Sequence, residues 1–130
     1  MTTQAPRILV IDDDYLIAMD TEYLVERCGC AVVGPCATVD DGKAAVRNHD
    51  LAAAVCDINL ADGEDIWPVA EQLRKRGVPV IFASGCSRDQ MPEGYESCTL
   101  LTKPLSLARL RQALAEIGIV DGKKAAASPQ

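Results

Sequence analysis

The sequence predicts an α/β protein in which helices cover both faces of a parallel sheet, giving three layers. Short apolar segments alternate with helix-like segments along the chain, five times in all, and this order is typical of parallel strands joined by right-handed crossovers. The apolar segments are hydrophobic on both faces, as expected of strands buried between two layers of helices. Aromatic residues make up only 4% of the sequence, so we expect a core of Val, Ile, Leu and Ala.

The first half of the chain predicts three strands and two helices. Each strand is a short run of apolar residues, and the runs span 7–11, 30–34 and 51–56. The first helix spans 15–28 and is ended by Gly29, a residue type that favours helix C-termini. The second helix runs from a Thr38 N-cap to about Asn48.

The second half predicts two more strands and two more helices. The strands span 78–83 and 98–102. One helix opens at Trp67 and Pro68, since proline is tolerated in a first turn, and runs to about Arg76. The last helix is capped by Ser106 and stopped by Gly118. Its apolar positions form a single stripe, made of Leu107, Leu110, Leu114 and Ile117.

The length of 130 residues fits one compact domain. We expect this domain over residues 7–118, between an N-terminal extension (1–6) and a flexible C-terminal tail (119–130). The weakest predicted element is a short helix over 87–97, where Pro92 and Gly94 lower the helix propensity.

Charge and hydropathy exclude several classes of function. The net charge of -6 disfavours direct binding of nucleic acid, whose phosphates require clustered cations. No apolar stretch is long enough to cross a bilayer, and the N-terminus lacks the pattern of a signal peptide, so a cytoplasmic protein is expected. The six cysteines form no CxxC pair, which favours reduced, buried thiols over a zinc site.

Charged and hydroxyl side chains follow four of the five predicted strands. They are Asp12, Asp13 and Asp14 after the first strand, Asp57 after the third, Ser84 after the fourth, and Lys103 after the fifth. Gly85 follows Ser84. Because ligands of parallel sheets bind at the carboxyl ends of the strands, we expect these side chains to converge. Each alone can be a turn residue or a helix cap, and Asp14 can simply cap the first helix.

The converging set has a definite chemistry. Close carboxylates repel each other unless a cation lies among them, and oxygen ligands favour Mg²⁺. Asp57 can then attack phosphorus as a nucleophile. Lys103 and Ser84 would stabilise the charge on the oxygens of the transferred group, while Gly85 leaves room for its approach. The sequence therefore predicts a magnesium-dependent phospho-acceptor.

Four stretches resemble the receiver domains of bacterial response regulators. They are ILVIDDD (8–14), VCDINLADG (55–63), PVIFASG (79–85) and LLTKPL (100–105), in the order of the family. The resemblance covers about residues 7–118 and implies a flavodoxin-like (βα)5 fold with strand order 2-1-3-4-5. The third and fourth stretches are similar to the alphaproteobacterial receivers known as the FAT GUY group, several of which are stand-alone domains.

The resemblance implies a metal site and a phosphorylation site. Asp57 would carry the phosphoryl group. Mg²⁺ would be held by Asp12, Asp13, Asp57 and the backbone carbonyl of Asn59. Receivers are phospho-acceptors rather than enzymes that turn over a separate substrate, so no such turnover is expected.

The resemblance also implies a switch and partners. Ser84 would be the switch hydroxyl, and Lys103, before a cis bond to Pro104, would bind the phosphoryl group. The donor would be a histidine kinase or a histidine phosphotransfer protein. Output would pass to a downstream protein that the sequence does not name, from a monomer or weak dimer.

Three residues depart from the usual receiver pattern: Leu100, Asp65 and Ala61, which stands where Pro is common. Leu100 stands where many receivers have Tyr or Phe, so a switch based on ring movement is not expected here. Asp65 adds an acid where Gly is common, which could weaken phosphoryl binding or strengthen cation binding. Cys86 lies where the family controls the access of water to the acyl phosphate, although a packing role is the simpler interpretation.

Two other functions compete with the phospho-acceptor. A pseudo-receiver would keep the fold as an interaction module without phosphorylation, but such proteins usually lack a residue of the set. A metal-dependent phosphatase of another α/β design would also use an Asp nucleophile. Against it, Asn59 stands two residues after Asp57, where a second catalytic Asp would be needed.

Overall fold

The computed structural model describes residues 5–60, 64–85, 91, 94–95, 98–120 and 123–124. Its strands are β1 (Arg7–Ile11), β2 (Ala31–Cys36), β3 (Ala53–Asp57), β4 (Val80–Ser84) and β5 (Thr99–Thr102). They form one parallel sheet with the order β2-β1-β3-β4-β5. The predicted α/β class and the flavodoxin-like strand order are therefore confirmed.

Four helices cover this sheet in the described part of the chain: α1 (Tyr15–Arg27), α2 (Val39–Asn48), α3 (Trp67–Lys75) and α4 (Leu107–Glu116). On one face α1 and α4 pack through side chains such as Val25 and Leu114. On the other face α2 and α3 pack through side chains such as Val46 and Leu73. The molecule thus has two aliphatic cores, one on each side of the sheet.

Strand β1 contributes to both cores because successive side chains of a strand point to opposite faces. Ile8 and Val10 join the core under α1 and α4, whereas Leu9 and Ile11 join the core under α2 and α3. All four are at most 1% exposed, and burial of each stabilises the fold by about 1.5–3 kcal/mol. Asp12, the next residue, is thereby held at the carboxyl edge of the sheet.

Side-chain caps fix the starts of three helices. The carboxylate of Asp14 accepts hydrogen bonds from the amides of Leu16 and Ile17 at the start of α1. Thr38 and Ser106 cap α2 and α4 in the same way. The predicted caps of α2 and α4 are confirmed, and so is the simple capping role for Asp14.

Replacing Asp14 by Ala is expected to lower the free energy of unfolding by about 1 kcal/mol, because two amides of the first turn lose their acceptor. Urea unfolding in the presence of a chelator measures the loss. Asp20→Ala is the matched control, since Asp20 is an exposed acid within the same helix. Equal losses in the two variants would show that the cap contributes nothing.

Strand β2 contains a bulge opposite β1. Leu9 pairs with Val33, but Ile11 pairs with Cys36, so β2 carries one extra residue across this interval. The bulge contains Gly34, whose φ is 97°, and the peptide bond from Gly34 to Pro35 is cis. After the bulge, Cys36 again faces the core under α2 and α3.

Three aromatic rings meet between α3 and β4. Trp67 lies with its ring centroid 5.3 Å from that of Phe82 and 5.1 Å from that of Tyr95. Phe82 and Tyr95 meet edge to face at 5.9 Å. The guanidinium of Arg74 lies over the ring of Tyr95, 4.1 Å from its centroid. Tyr95 is therefore held against α3 by ring contacts and a cation–π contact.

The predicted tail begins too early. Ile119–Val120 (β6) and Lys123–Lys124 (β7) pair as a short antiparallel sheet. Ile119 is 3% exposed and belongs to the core under α1 and α4, so its burial extends the folded region beyond Gly118. The other predicted tail residues, the first four residues and most of the predicted helix over 87–97 lie outside the described residues.

Three of the five cysteines in the described ranges, Cys28, Cys30 and Cys56, are buried. Burial, with a smaller contribution from Cys28, raises the pKa of Cys30 to about 11. Cys86 lies outside the described residues. None of the described helices is both long and apolar enough to traverse a bilayer.

Candidate functional site

The structure brings the predicted site residues together at the carboxyl edge of the sheet. Asp12 directly follows β1, Asp57 ends β3, Ser84 ends β4 and Lys103 directly follows β5. Asp12 and Asp57 are each 5% exposed and Ser84 is 1% exposed. Buried polar side chains at the ends of three adjacent strands are unusual in an aliphatic core and mark this edge as a site.

Three carboxylates form a compact cluster. One oxygen from each of Asp12, Asp13 and Asp57 lies within 4.8 Å of the others. Backbone amides orient two of them: the Asp14 N–H donates to Asp12 Oδ1 at 2.9 Å, and the Asn59 N–H donates to Asp57 Oδ1 at 3.2 Å. The cluster is therefore held by its own loops.

Lys103 connects the two buried carboxylates. Its Nζ lies 2.9 Å from Asp12 Oδ2 and 3.1 Å from Asp57 Oδ1. Its backbone N–H donates to the carbonyl of Ser84 at 2.9 Å, which ties β5 to β4 beside the site. The peptide bond to Pro104 is cis, as the resemblance implies.

The electrostatics of the site follow from burial and charge crowding. Burial, followed by the negative charge of Asp12, raises the pKa of Asp57 to about 6, although Lys103 and the Asn59 N–H act in the opposite direction. For Lys103, burial disfavours the ammonium form, but the hydrogen bonds and charges of Asp12 and Asp57 outweigh it and raise the pKa. Among the residues that the structure describes, Lys103 is the cation in contact with this group of three close carboxylates.

The donor set fits a hard divalent cation. Its carboxylate oxygens are the ligands that Mg²⁺ prefers, and their mutual distance within 4.8 Å lets one ion reach all three. Asn59 lies beside the cluster, and its backbone pairs with that of Asp65 across the loop. The side chain of Asp65 is exposed and lines a different groove, with Lys43 and Trp67.

Two features of the site could not be read from the four motifs. Glu64 accepts a hydrogen bond from the Val39 N–H at 3.3 Å, which ties the loop after β3 to the start of α2. The carbonyl of Cys36 accepts the N–H of Asp12 at 3.0 Å. In the sequence, the Gly34-Pro35 dipeptide was the signal that could have indicated the contact between Cys36 and Asp12, since such pairs mark irregular backbone.

Leu100 is partly buried and packs against the core under α2 and α3. It pairs in register with Phe82 of β4. The aromatic rings of this region are instead those of Phe82, Trp67 and Tyr95.

Comparison with known proteins identifies relatives with this architecture. No protein-family model matches the chain. The phyllosphere-induced regulator PhyR of Methylorubrum extorquens is 35% identical over 115 residues, which are 86% of this chain and 43% of PhyR. The chain thus spans less than half the length of this curated relative.

Solved structures match over nearly all of the fold. SdrG from Sphingomonas melonis Fr1 superposes with a TM-score of 0.79 and 34% identity, covering 89% of this chain and 98% of SdrG. The receiver domain of the PhyR response regulator from Erythrobacter litoralis superposes with a TM-score of 0.77 and 29% identity, covering 88% and 90% of the two chains. With its fold, its strand order and these relatives, the chain belongs to the response-regulator receiver family.

Proposed function

We propose that the protein accepts a phosphoryl group onto Asp57, with Mg²⁺, from the phosphohistidine of a histidine kinase or histidine phosphotransfer protein. The phosphorylated form would then signal or relay through a protein partner. The observation that carries this proposal is the contact of Lys103 Nζ with both Asp12 and Asp57, beside the buried Ser84. These groups provide a nucleophile and a cation at one point of the sheet.

Each residue of the site has a role in the transfer. A carboxylate oxygen of Asp57 attacks phosphorus. The new O–P bond forms as the P–N bond to the donor imidazole breaks, and the electron pair of that bond stays on the imidazole nitrogen. Lys103 and the Ser84 hydroxyl stabilise the charge on the phosphoryl oxygens. Mg²⁺, held by Asp12, Asp13, Asp57 and the Asn59 carbonyl, would neutralise further charge.

A surface for a protein donor adjoins the site. Helix α1 exposes large apolar side chains along one stretch: Tyr15 and Leu16 are each 75% exposed, and Met19 and Tyr23 are 47% and 54% exposed. A mostly apolar groove of about 390 Å³ is lined by residues of α1, among them Leu16, and by Lys103. Because Lys103 belongs to the site, a protein bound in this groove could present its phosphohistidine to Asp57.

The relatives support an acceptor rather than an enzyme with its own substrate. SdrG has also been solved in a BeF3-activated conformation, and BeF3 imitates a phosphoryl group bound to a carboxylate. Within this chain, Asn59 rather than an acid stands two residues after Asp57. We therefore expect self-limited phosphorylation and no turnover of phosphate monoesters.

Intact-protein mass spectrometry after incubation with acetyl phosphate tests the proposal. We expect one phosphoryl adduct, formed with Mg²⁺ and lost when a chelator is added, and no adduct on Asp57→Asn. Asp50→Asn is the matched control, because it removes an exposed acid outside the carboxylate cluster. No adduct on the folded wild-type protein in any condition would overturn the proposal and favour a pseudo-receiver.

A further inference from the structure

We propose that Gly34 is a positioning residue for the metal site, because the bulge that it permits places the Cys36 carbonyl against the Asp12 amide. The inference rests on the proposed function in one respect, that Asp12 is a ligand of Mg²⁺. Gly34 itself is exposed on the edge strand β2 and lies outside the site.

The bulge determines which residue of β2 meets Asp12. On β1, Leu9 and Ile11 are two residues apart. Their partners on β2, Val33 and Cys36, are three residues apart. The Cys36 carbonyl then accepts the Asp12 N–H at 3.0 Å. Without the extra residue, a different carbonyl would reach the end of β1 and the alternation of β2 side chains would reverse.

Only glycine fits at this position of the bulge. The φ of 97° at Gly34 is rarely adopted by residues with a side chain. A Cβ there would lie 2.7 Å from the Cys36 nitrogen, 3.0 Å from the Val10 carbonyl oxygen and 3.3 Å from Cys36 Sγ. Contacts under 3.0 Å to backbone atoms require the backbone to move.

Strand β2 is the part that would move. Val10 lies on β1, which is hydrogen-bonded to β2 on one side and to β3 on the other, and it is 1% exposed. Cys36 lies at the end of an edge strand. A side chain at position 34 would therefore displace Cys36, and the Asp12 amide would lose its acceptor.

Loss of this acceptor would also displace the carboxylate of Asp12. Asp12 directly follows β1, and its side chain receives the Asp14 N–H and contacts Lys103 Nζ at 2.9 Å. Displacement of groups that orient a metal ligand typically weakens metal affinity by about 10–100-fold. We expect a loss of this size for Gly34→Ala.

The test compares Gly34→Ala with Gly77→Ala. Gly77 also has a positive φ, of 71°, but a Cβ there would meet no atom within 4 Å. Both variants should unfold at a lower temperature, because both strain the backbone. Only Gly34→Ala should weaken Mg²⁺ binding measured by calorimetry, and only Gly34→Ala should lose the hydrogen-exchange protection of the Asp12 amide measured by NMR without metal.

A second experiment tests the same hydrogen bond and does not depend on the folding of the Gly34→Ala variant. Cys28 allows a synthetic peptide of residues 1–27 to be ligated to the rest of the chain. An ester in place of the amide between Ile11 and Asp12 removes the N–H donor and keeps the Asp12 carboxylate. The control is an ester between Asp14 and Tyr15, since the first amide of a helix has no intrahelical acceptor. The first ester, and not the second, should reduce Mg²⁺ affinity by about 10–100-fold.

The outcomes separate this inference from the proposed function. Wild-type Mg²⁺ affinity in both Gly34→Ala and the first ester would overturn the positioning role while leaving the phospho-acceptor intact. A wild-type protein that binds no Mg²⁺ and takes no phosphoryl group would overturn the proposed function. In that case the hydrogen exchange of the Asp12 amide still tests the positioning of Asp12. Protection that is present in the wild type and in Gly77→Ala but lost in Gly34→Ala would support it. Unchanged protection in Gly34→Ala would overturn it.

Discussion

Replacing Lys103 by Gln is expected to slow phosphorylation by about 10²–10³-fold, the usual cost of removing one donor that stabilises charge in a transition state. The same change should strengthen Mg²⁺ binding. Lys103 Nζ contacts Asp12 Oδ2 and Asp57 Oδ1, so the ammonium group and the ion compete for the same carboxylates. Removing the ammonium leaves more negative charge for the ion.

The two opposite effects are measured separately. Calorimetry gives the Mg²⁺ affinity, and the time course of the acetyl phosphate adduct by mass spectrometry, at saturating Mg²⁺, gives the rate. Lys75→Gln is the matched control: it removes the same charge from an exposed lysine that pairs with Glu71 on α3. Weaker Mg²⁺ binding by Lys103→Gln than by the wild type would contradict the expected competition between the ammonium group and the ion.

Replacing Asp57 by Asn is expected to stabilise the metal-free protein at neutral pH by about 1–3 kcal/mol. In the folded protein burial and the charge of Asp12 raise the pKa of Asp57 to about 6 from its usual 3.8. The folded state therefore favours the protonated form. The stability associated with Asp57 is fully present below pH 3.8 and is lost as the pH rises to about 6.

The pH dependence distinguishes this effect from a change in packing. In chelator, the gain of Asp57→Asn over wild type should grow between about pH 4 and pH 6 and then stay constant. Urea unfolding over this range measures it. Saturating Mg²⁺ should reduce the gain, because the ion binds more tightly to the wild type, with all three carboxylates, and so stabilises it more than the variant. A gain that does not vary with pH would rule out the titration of Asp57 as its source.

The parts of the site that the sequence could predict are those fixed by strand order. Asp57, Ser84 and Lys103 each stand at the end of a buried apolar run, and parallel strands bring such ends to one edge. The alternation of apolar and amphipathic segments likewise predicted the sheet and four helices. Local composition was sufficient because each of these elements depends on its own residues.

The parts that the sequence could not predict depend on contacts between distant segments. The bulge at Gly34 is defined only by the register of β2 against β1. The pairing of β6 with β7, and the burial of Ile119, depend on the core already formed under α4. The contact of one lysine with two carboxylates depends on how far Lys103 reaches across β4 and β3, which spacing along the chain does not give.

The aromatic contacts of α3 also give the protein an optical property. Trp67 is the sole tryptophan in the sequence, and it lies against Phe82, two residues before Ser84, and against Tyr95 beyond the end of β4. Fluorescence excited at the long-wavelength edge of the protein's absorption band therefore comes from one indole. This indole lies beside β4, the strand that carries the Ser84 hydroxyl. Its emission wavelength and anisotropy report the packing of this region in the unlabelled protein, and they do so without contributions from the exposed tyrosines of α1.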